Sequence, residues 1–433
     1  MSRDYLKKMK MKKIIFTLML AIFGLSTQAQ TEKCATMQIL EKRIAKDPSI
    51  KLRMEQSEIK TQKWISANSN AKGGIQLVTI PVVVHVLWND PIENISAAQI
   101  QSQIDILNED FRLLNSDSLD SSHPFWQFTA DTEIEFCLAT RDPNGNATSG
   151  ITRTYTDSLS FVGDDNEKFT ASGGKDNWDP TKYLNIWVCN LDGSDGTLGY
   201  AAFPSDLATD PDLDGVVIRY EAFGDIGTAG SGDFTAIDLG RTGTHEVGHW
   251  LNLRHIWGDN TCGDDFVADT EIAEAANNGC PTFPHNANST CGSGVDGEMY
   301  MNYMDYSDDA CLVMFTYDQG IRMQSALNGD RAGLLTSLGC SAPTGLLNDG
   351  SLENGFQIYP NPSNGNFTVD THMLKYDNIS ISVYDLLGSK IQKFENIKSF
   401  PFKMDLNDLS NGIYYFKINC GNKTITQKVI IAK

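Results

Sequence analysis

THEVGHWLNLRHIWGD, Thr244–Asp259, holds three of the chain's seven histidines around a single glutamate. Residues four apart on an α-helix lie one above the other, so a helix through this stretch lets His245 and His249 offer their imidazoles to one ion with Glu246 beside it. Neutral imidazole is a good zinc ligand, and a catalytic zinc takes three protein ligands and keeps one position open. Glu246, close to that position without binding the metal, is placed to act as general base. His255 can be the third ligand only if the helix stops before it and the chain turns back. Asn252 suits that stop, because asparagine is second to glycine in tolerating the left-handed conformation. A metal that only stabilises a fold has no use for an unliganded carboxylate there, which favours hydrolysis over the alternative of a surface adhesin with a structural metal.

Working outward, strand-like runs occupy IPVVVHVLW from Ile80, EIEFCLA from Glu133, YLNIWVCNL from Tyr183, GTLGYAAF from Gly196 and GVVIRYEAF from Gly215. A helix capped by Ser96 is predicted from the apolar positions Ile100, Ile104, Leu107, Phe111 and Leu114, and another from Phe315 to Leu335. Strands and a few helices in alternation from Ile75 onward imply a mixed α/β or α+β domain. DPDLDGVVIRYE, Asp210–Glu221, has EF-hand spacing, but a strand follows where a helix is needed, so the match is read as chance.

H-E-x-x-H-x-x-(G/N)-x-x-H resembles the metzincin zinc endopeptidases. MNYMDYSDDAC, with Met304 and Tyr306, and the GYAAFP strand resemble their pappalysin, or cytophagalysin, branch over Ile75–Cys340. The resemblance implies an α+β metzincin-like catalytic domain, a twisted mixed sheet with active-site and backing helices, acting on proteins or peptides. It implies Met304 as a hydrophobic floor under the histidines, Tyr306 beside the oxyanion, and Gly196–Phe203 as an edge strand that pairs with substrate. It places the pocket for the residue after the cut near SDDAC. Asp308 and Asp309 hint at a basic preference, yet Ala310 stands where members selecting Arg or Lys carry an acid, so specificity is left open. In GDDFVADTE, Asp265, Asp269 and Thr270 are the calcium candidates, with solvated acids the alternative.

Five lysines from Lys7 to Lys13, the apolar run Ile14–Leu25 and STQAQ have the three zones of a secretory signal peptide, residues 1–29. Its loss removes six positive charges and one negative, moving the formal charge from −20 to about −25 and arguing against nucleic acid as a partner. Residues 30–74 are polar with one helical pattern, Met37–Ile44, and read as a propeptide. Cys34 within it could fill the open zinc position until its removal, or be an unpaired cysteine of no consequence. In an exported chain Cys262, Cys280, Cys291 and Cys311 are disulfide candidates, while Cys137 and Cys189 on strand-like runs read as buried thiols.

Residues 341–354 read as a linker, and 355–433 as short alternating strands of a small C-terminal β-sandwich. YPNPSNGNF, ISVYDLLGSKI and LSNGIYYFKI resemble the type IX secretion sorting domain of Bacteroidetes proteins, against the alternative of a carbohydrate-binding or adhesive sandwich. This implies export through the periplasm by that machinery, to the medium or the cell surface, with no membrane-spanning segment in the mature chain.

Overall fold

The computed structural model describes residues 33–68, 76–192, 196–343, 356–371, 379–386, 388–420 and 423–433. The signal peptide and linker residues 344–354 lie outside them. The chain divides into two compact units, one reaching Leu138 and resuming over Gly150–Ser337, the other comprising Ala139–Ser149 and Leu338–Lys433.

The first unit begins with helices α1, Thr36–Lys46, and α2, Ser49–Asn68. Strand β1, Val78–Trp88, and helix α3, Ala97–Phe111, follow, then β2, Ile134–Leu138, β3, Ile151–Tyr155, β4, Leu184–Cys189, β5, Gly199–Ala201, and β6, Val216–Arg219. Helix α4 spans Arg241–Trp250 and α5 spans Tyr317–Asn328. The six strands form one sheet in the order β2-β1-β4-β6-β5, with β3 also on β1. All pairs are parallel except β5 on β6, so β5 is an antiparallel edge. The second unit packs β10-β9-β12-β13 with β11-β8-β7 around a common apolar core of residues such as Phe367, Ile381 and Phe416. These strands run over Phe356–Tyr359, Asn366–Thr371, Ile379–Tyr384, Lys390–Ile397, Phe402–Asp405, Gly412–Cys420 and Lys423–Ile431 for β7 to β13. That is the expected sandwich.

Ser96 caps α3 by accepting from the Gln99 amide, and Ile100, Ile104, Leu107 and Phe111 are buried against the sheet. Each such side chain stabilises the fold by roughly 1.5–3 kcal/mol. Leu114 does not join them. The helix ends at Phe111, Leu113 turns left-handed with φ 51°, and Leu114 is 70% exposed. The Asp210–Glu221 stretch forms a 3-10 turn and then β6, so it is not an EF-hand.

Disulfides join Cys262 to Cys291 and Cys280 to Cys311. Cys189 is a free, buried thiol as expected, but Cys137 is disulfide-bonded. The two-residue period of β2 sends Ile134 and Phe136 into the core and leaves Cys137 on the other face, only half-buried.

All ten residues of α4 are buried, polar ones included. Unpaired buried charge costs several kcal/mol, so such a helix needs partners. Arg241 pairs with Asp110 and with Asp117 at 2.8 Å, and Thr244 donates to Asp110 at 2.5 Å. At the other end the Trp250 indole donates to Asp214, which is also held by Arg331, and Arg331 lies 3.8 Å over the Trp250 ring. The helix is thereby fixed at both ends beneath β5.

Candidate active site

Helix α4 stops as its sequence implies. Asn252 takes φ 77°, Leu253 donates back to the Gly248 carbonyl, and His255 swings to the same side as His245 and His249. The Nε2 of His249 lies 3.1 Å from the Nε2 atoms of both His245 and His255. Each Nδ1 faces an oxygen that can only accept: Tyr303 O at 2.7 Å, Leu253 O at 2.9 Å and Asp259 Oδ1 at 2.5 Å for His245, His249 and His255 in turn. The hydrogen therefore sits on Nδ1, and three Nε2 lone pairs converge. Burial keeps His245 neutral, its pKa pushed down to about 3, and holds that of His249 well below the usual imidazole range. Lone pairs so close repel unless a cation lies between them, so the donor set fits a metal. Cys34 Sγ joins this set, with all four donor atoms within 4.8 Å of one another, and no other group of three or more such ligands occurs among the described residues.

Glu246 is fully buried. Its Oε2 accepts from Cys34 Sγ at 3.4 Å and from Thr36 Oγ1 at 3.1 Å, while Oε1 has no hydrogen-bond partner. Burial pushes its pKa up to about 8, and a cation alongside would draw it back toward the ionised form that a base requires. The carboxylate lies against the backbone of β5, where a Cβ on Gly199 would stand 3.0 Å from Glu246 Cγ. Met304 is buried against helix α4, with its sulfur 2.5 Å from where a Cβ on Gly248 would be. Tyr306 packs edge-on to His255 at 5.0 Å and its hydroxyl donates to Cys34 O at 3.0 Å.

Segment Lys33–Thr36 lies along the edge strand. Leu198 donates to Lys33 O, Ala35 to Gly199 O, and Ala201 to Thr36 Oγ1. The chain runs parallel to β5 and carries Lys33 into a pocket lined by Ile237, Thr242, Tyr306, Asp309 and Leu312. There its ammonium donates to Ser307 O and lies 3.0 Å from Asp308 Oδ1. Asp309 is turned inward, accepts from the amides of Leu239 and Arg241, and is pushed up to about 6 by burial.

Thr36, Lys33 and Asp259 were not legible as site residues. The ring of His255 is held between Asp259 and a stacked Trp257, 4.3 Å away and 5° from parallel. An acid four residues after the last histidine is the one available signal for Asp259, although its position depends on a left-handed φ of 60°. The calcium candidates are not gathered. Asp265 accepts from Thr270 Oγ1 at 2.9 Å, but Asp269 turns away to accept from the Asp318 amide at the start of α5.

Residues 167–328 match the family described as pregnancy-associated plasma protein-A, and residues 357–432 match the secretion system C-terminal sorting domain. An extracellular metalloprotease of Arthroderma otae is 33% identical over 273 residues, 62% of this chain and 83% of its own. The chain belongs to the pappalysin family. Mature mirolysin of Tannerella forsythia with a cleaved peptide is 47% identical, covering 62% of this chain and 99% of its own at a TM-score of 0.58. A T. forsythia promirolysin mutant is 43% identical over 70% of this chain and 97% of its own, at 0.63. This chain is thus a secreted or cell-surface metalloendopeptidase of a Bacteroidetes type, carrying a type IX sorting domain. Nothing in these likenesses supports an adhesin. Among the described residues no helix is long and apolar enough to cross a membrane.

Proposed function

We propose that the metal is zinc, held by Nε2 of His245, His249 and His255, and that Glu246 is the general base of peptide hydrolysis. The observation that carries this is the convergence of three Nδ1-anchored imidazoles beside a buried carboxylate that binds none of them. Bound zinc supplies the Lewis acid of the reaction. Glu246 takes the proton of the attacking water and passes it to the leaving amine. Tyr306, edge-on to His255, offers its hydroxyl to the oxyanion once Cys34 O has left it, and Met304 holds the histidines from below. Dialysis against a chelator is expected to abolish cutting of denatured protein, and one equivalent of zinc to restore it. Full activity in the zinc-free enzyme contradicts the reading. His255→Ala is expected to lose the metal.

We further infer that residues 30–74 are a latency segment, residues 75–340 the catalytic domain and residues 355–433 the sorting domain. Cys34 is within reach of a fourth ligand position, and Thr36 occupies the base. Promirolysin covers 8% more of this chain than mature mirolysin does, 70% against 62%, about the length of the described α1–α2 segment. This supports removal of that segment. Lys33 beside Asp308 supports a basic residue after the cut, in spite of Ala310. Calcium is left out of the proposal: Asp265 takes Thr270 within its own loop, while Asp269 accepts from the Asp318 amide with one oxygen and has no hydrogen-bond partner at the other, which is buried.

A further inference from the structure

Residues Lys33–Asn68 carry eight Lys and Arg against four Asp and Glu, in a chain whose formal net charge is −20. Their basic side chains meet acids of the catalytic domain at separate points. Arg43 grips Asp165 with both ends of its guanidinium, at 2.7 and 3.2 Å, and Arg53 faces Asp206 and Asp210. Lys60 and the Ser57 hydroxyl reach Asp330, and Lys33 reaches Asp308. In the opposite sense Glu58 takes both ends of the Arg322 guanidinium at 2.6 and 2.9 Å. Arg322 is 1% exposed, holds the Asn252 carbonyl, and shares the ring of Phe266 with Arg254. If Glu58 leaves, two guanidiniums remain close together without that carboxylate, Asp206 loses Arg53, and Asp165 loses Arg43 and keeps only Lys168 at 2.9 Å. Apolar contacts add to this: Ile39 packs with Trp187, Tyr200 and Val217, and Leu40 and Ile50 pack with Phe203.

None of these contacts depends on the covalent bond between the segment and the rest of the chain. We propose that cutting the chain after Asn68 does not by itself activate the enzyme: residues Lys33–Asn68 stay docked as a non-covalent inhibitor, and activity appears only when this fragment is itself degraded or displaced. The cut adds one water across a peptide bond, leaving a carboxylate on the fragment and an ammonium on the catalytic domain, far too little charge to undo five sets of ion pairs. Thr36 on Glu246 and the backbone pairing to Gly199 would keep the fragment competitive with any substrate that uses β5. This inference rests on the peptidase reading above.

The test uses the full chain with a recognition sequence for a site-specific protease inserted after Asn68. After nicking at low salt, the fragment is expected to co-elute with the catalytic domain, and initial cleavage of a peptide substrate to be roughly tenfold or more below that of the same preparation once the fragment is fully degraded, since screening is weak at low ionic strength. A fragment that elutes separately, or full activity on nicking alone, overturns the proposal. Arg43→Glu, and independently Glu58→Lys, are expected to let the fragment go on nicking, and unchanged retention in both overturns the ion-pair basis. A preparation free of fragment and loaded with zinc that still cuts nothing contradicts the peptidase reading instead.

Discussion

Helices α2 and α4 make an instructive pair. Helix α4 is ten residues long and wholly buried, and Arg241, Thr244 and the histidines find partners inside the domain while Glu246 keeps one oxygen unpaired. Helix α2 is twice as long, yet among its residues only Ile50, Ser57 and Thr61 are buried, while Leu52 and Ile59 are exposed at 56% and 68%. Helix α4 is held by what is costly to expose. Helix α2 stays largely at the surface and is held by single side chains, paired to Asp206, Asp330 and Arg322. A helix that must keep a metal site in register and a helix that must one day leave are built from the same interactions, and differ in how deeply these are placed.

This contrast predicts a gradient of effects with depth. The largest concerns Glu167, which is fully buried with neither carboxyl oxygen hydrogen-bonded, its pKa raised to about 7 by burial. A carboxyl whose folded pKa lies above its unfolded value loses its contribution as pH rises from about 4.5 to about 7. Glu167→Gln should therefore match the parent at pH 4 and be more stable by about 3 kcal/mol at pH 8, measured by denaturant unfolding. Equal stability at both pH values contradicts the buried-charge account.

Next is Asp259, the carboxylate behind His255. Asp259→Asn should weaken zinc about 10- to 100-fold in competition with a chromogenic chelator, as expected for an outer-shell partner of a metal histidine. Unchanged affinity shows that stacking on Trp257 alone orients the ring. Smallest is Lys60, whose side chain is 69% exposed and whose pair to Asp330 lies at the surface. Lys60→Ser should cost at most about 1 kcal/mol of stability in the full chain, and a loss of several kcal/mol in a thermal melt breaks the distinction between surface and core.

The same depth explains what could be read from the chain. Helix α4 and its stop at Asn252 were legible because ligand spacing and turn chemistry are local, and α3 because its apolar period faces a sheet. Helix α2 was missed, since apolar residues such as Leu52 and Ile59 lie off its docked face and its partners are up to about 270 residues away in sequence. Strand β3, ITRTY, was missed because it is short, polar and never fully buried, and is held by parallel pairing to β1. The cysteine cluster was legible, its pairing was not, and Cys137 was misread because the alternation of β2 was not followed to its outer face. Thr36 and Lys33 carry no motif, and only the edge strand beside Glu246 gives them a role.

The most direct test of the account is Glu246→Gln in the activated enzyme, with zinc content and turnover measured on the same sample. Glutamine keeps the size of the side chain and removes no ligand, but cannot accept the proton of water. Zinc should remain at one equivalent while kcat falls by about 10²- to 10⁴-fold. A variant that holds its zinc and cuts denatured protein at near the parental rate contradicts the assignment of Glu246 as the base, and with it the mechanism.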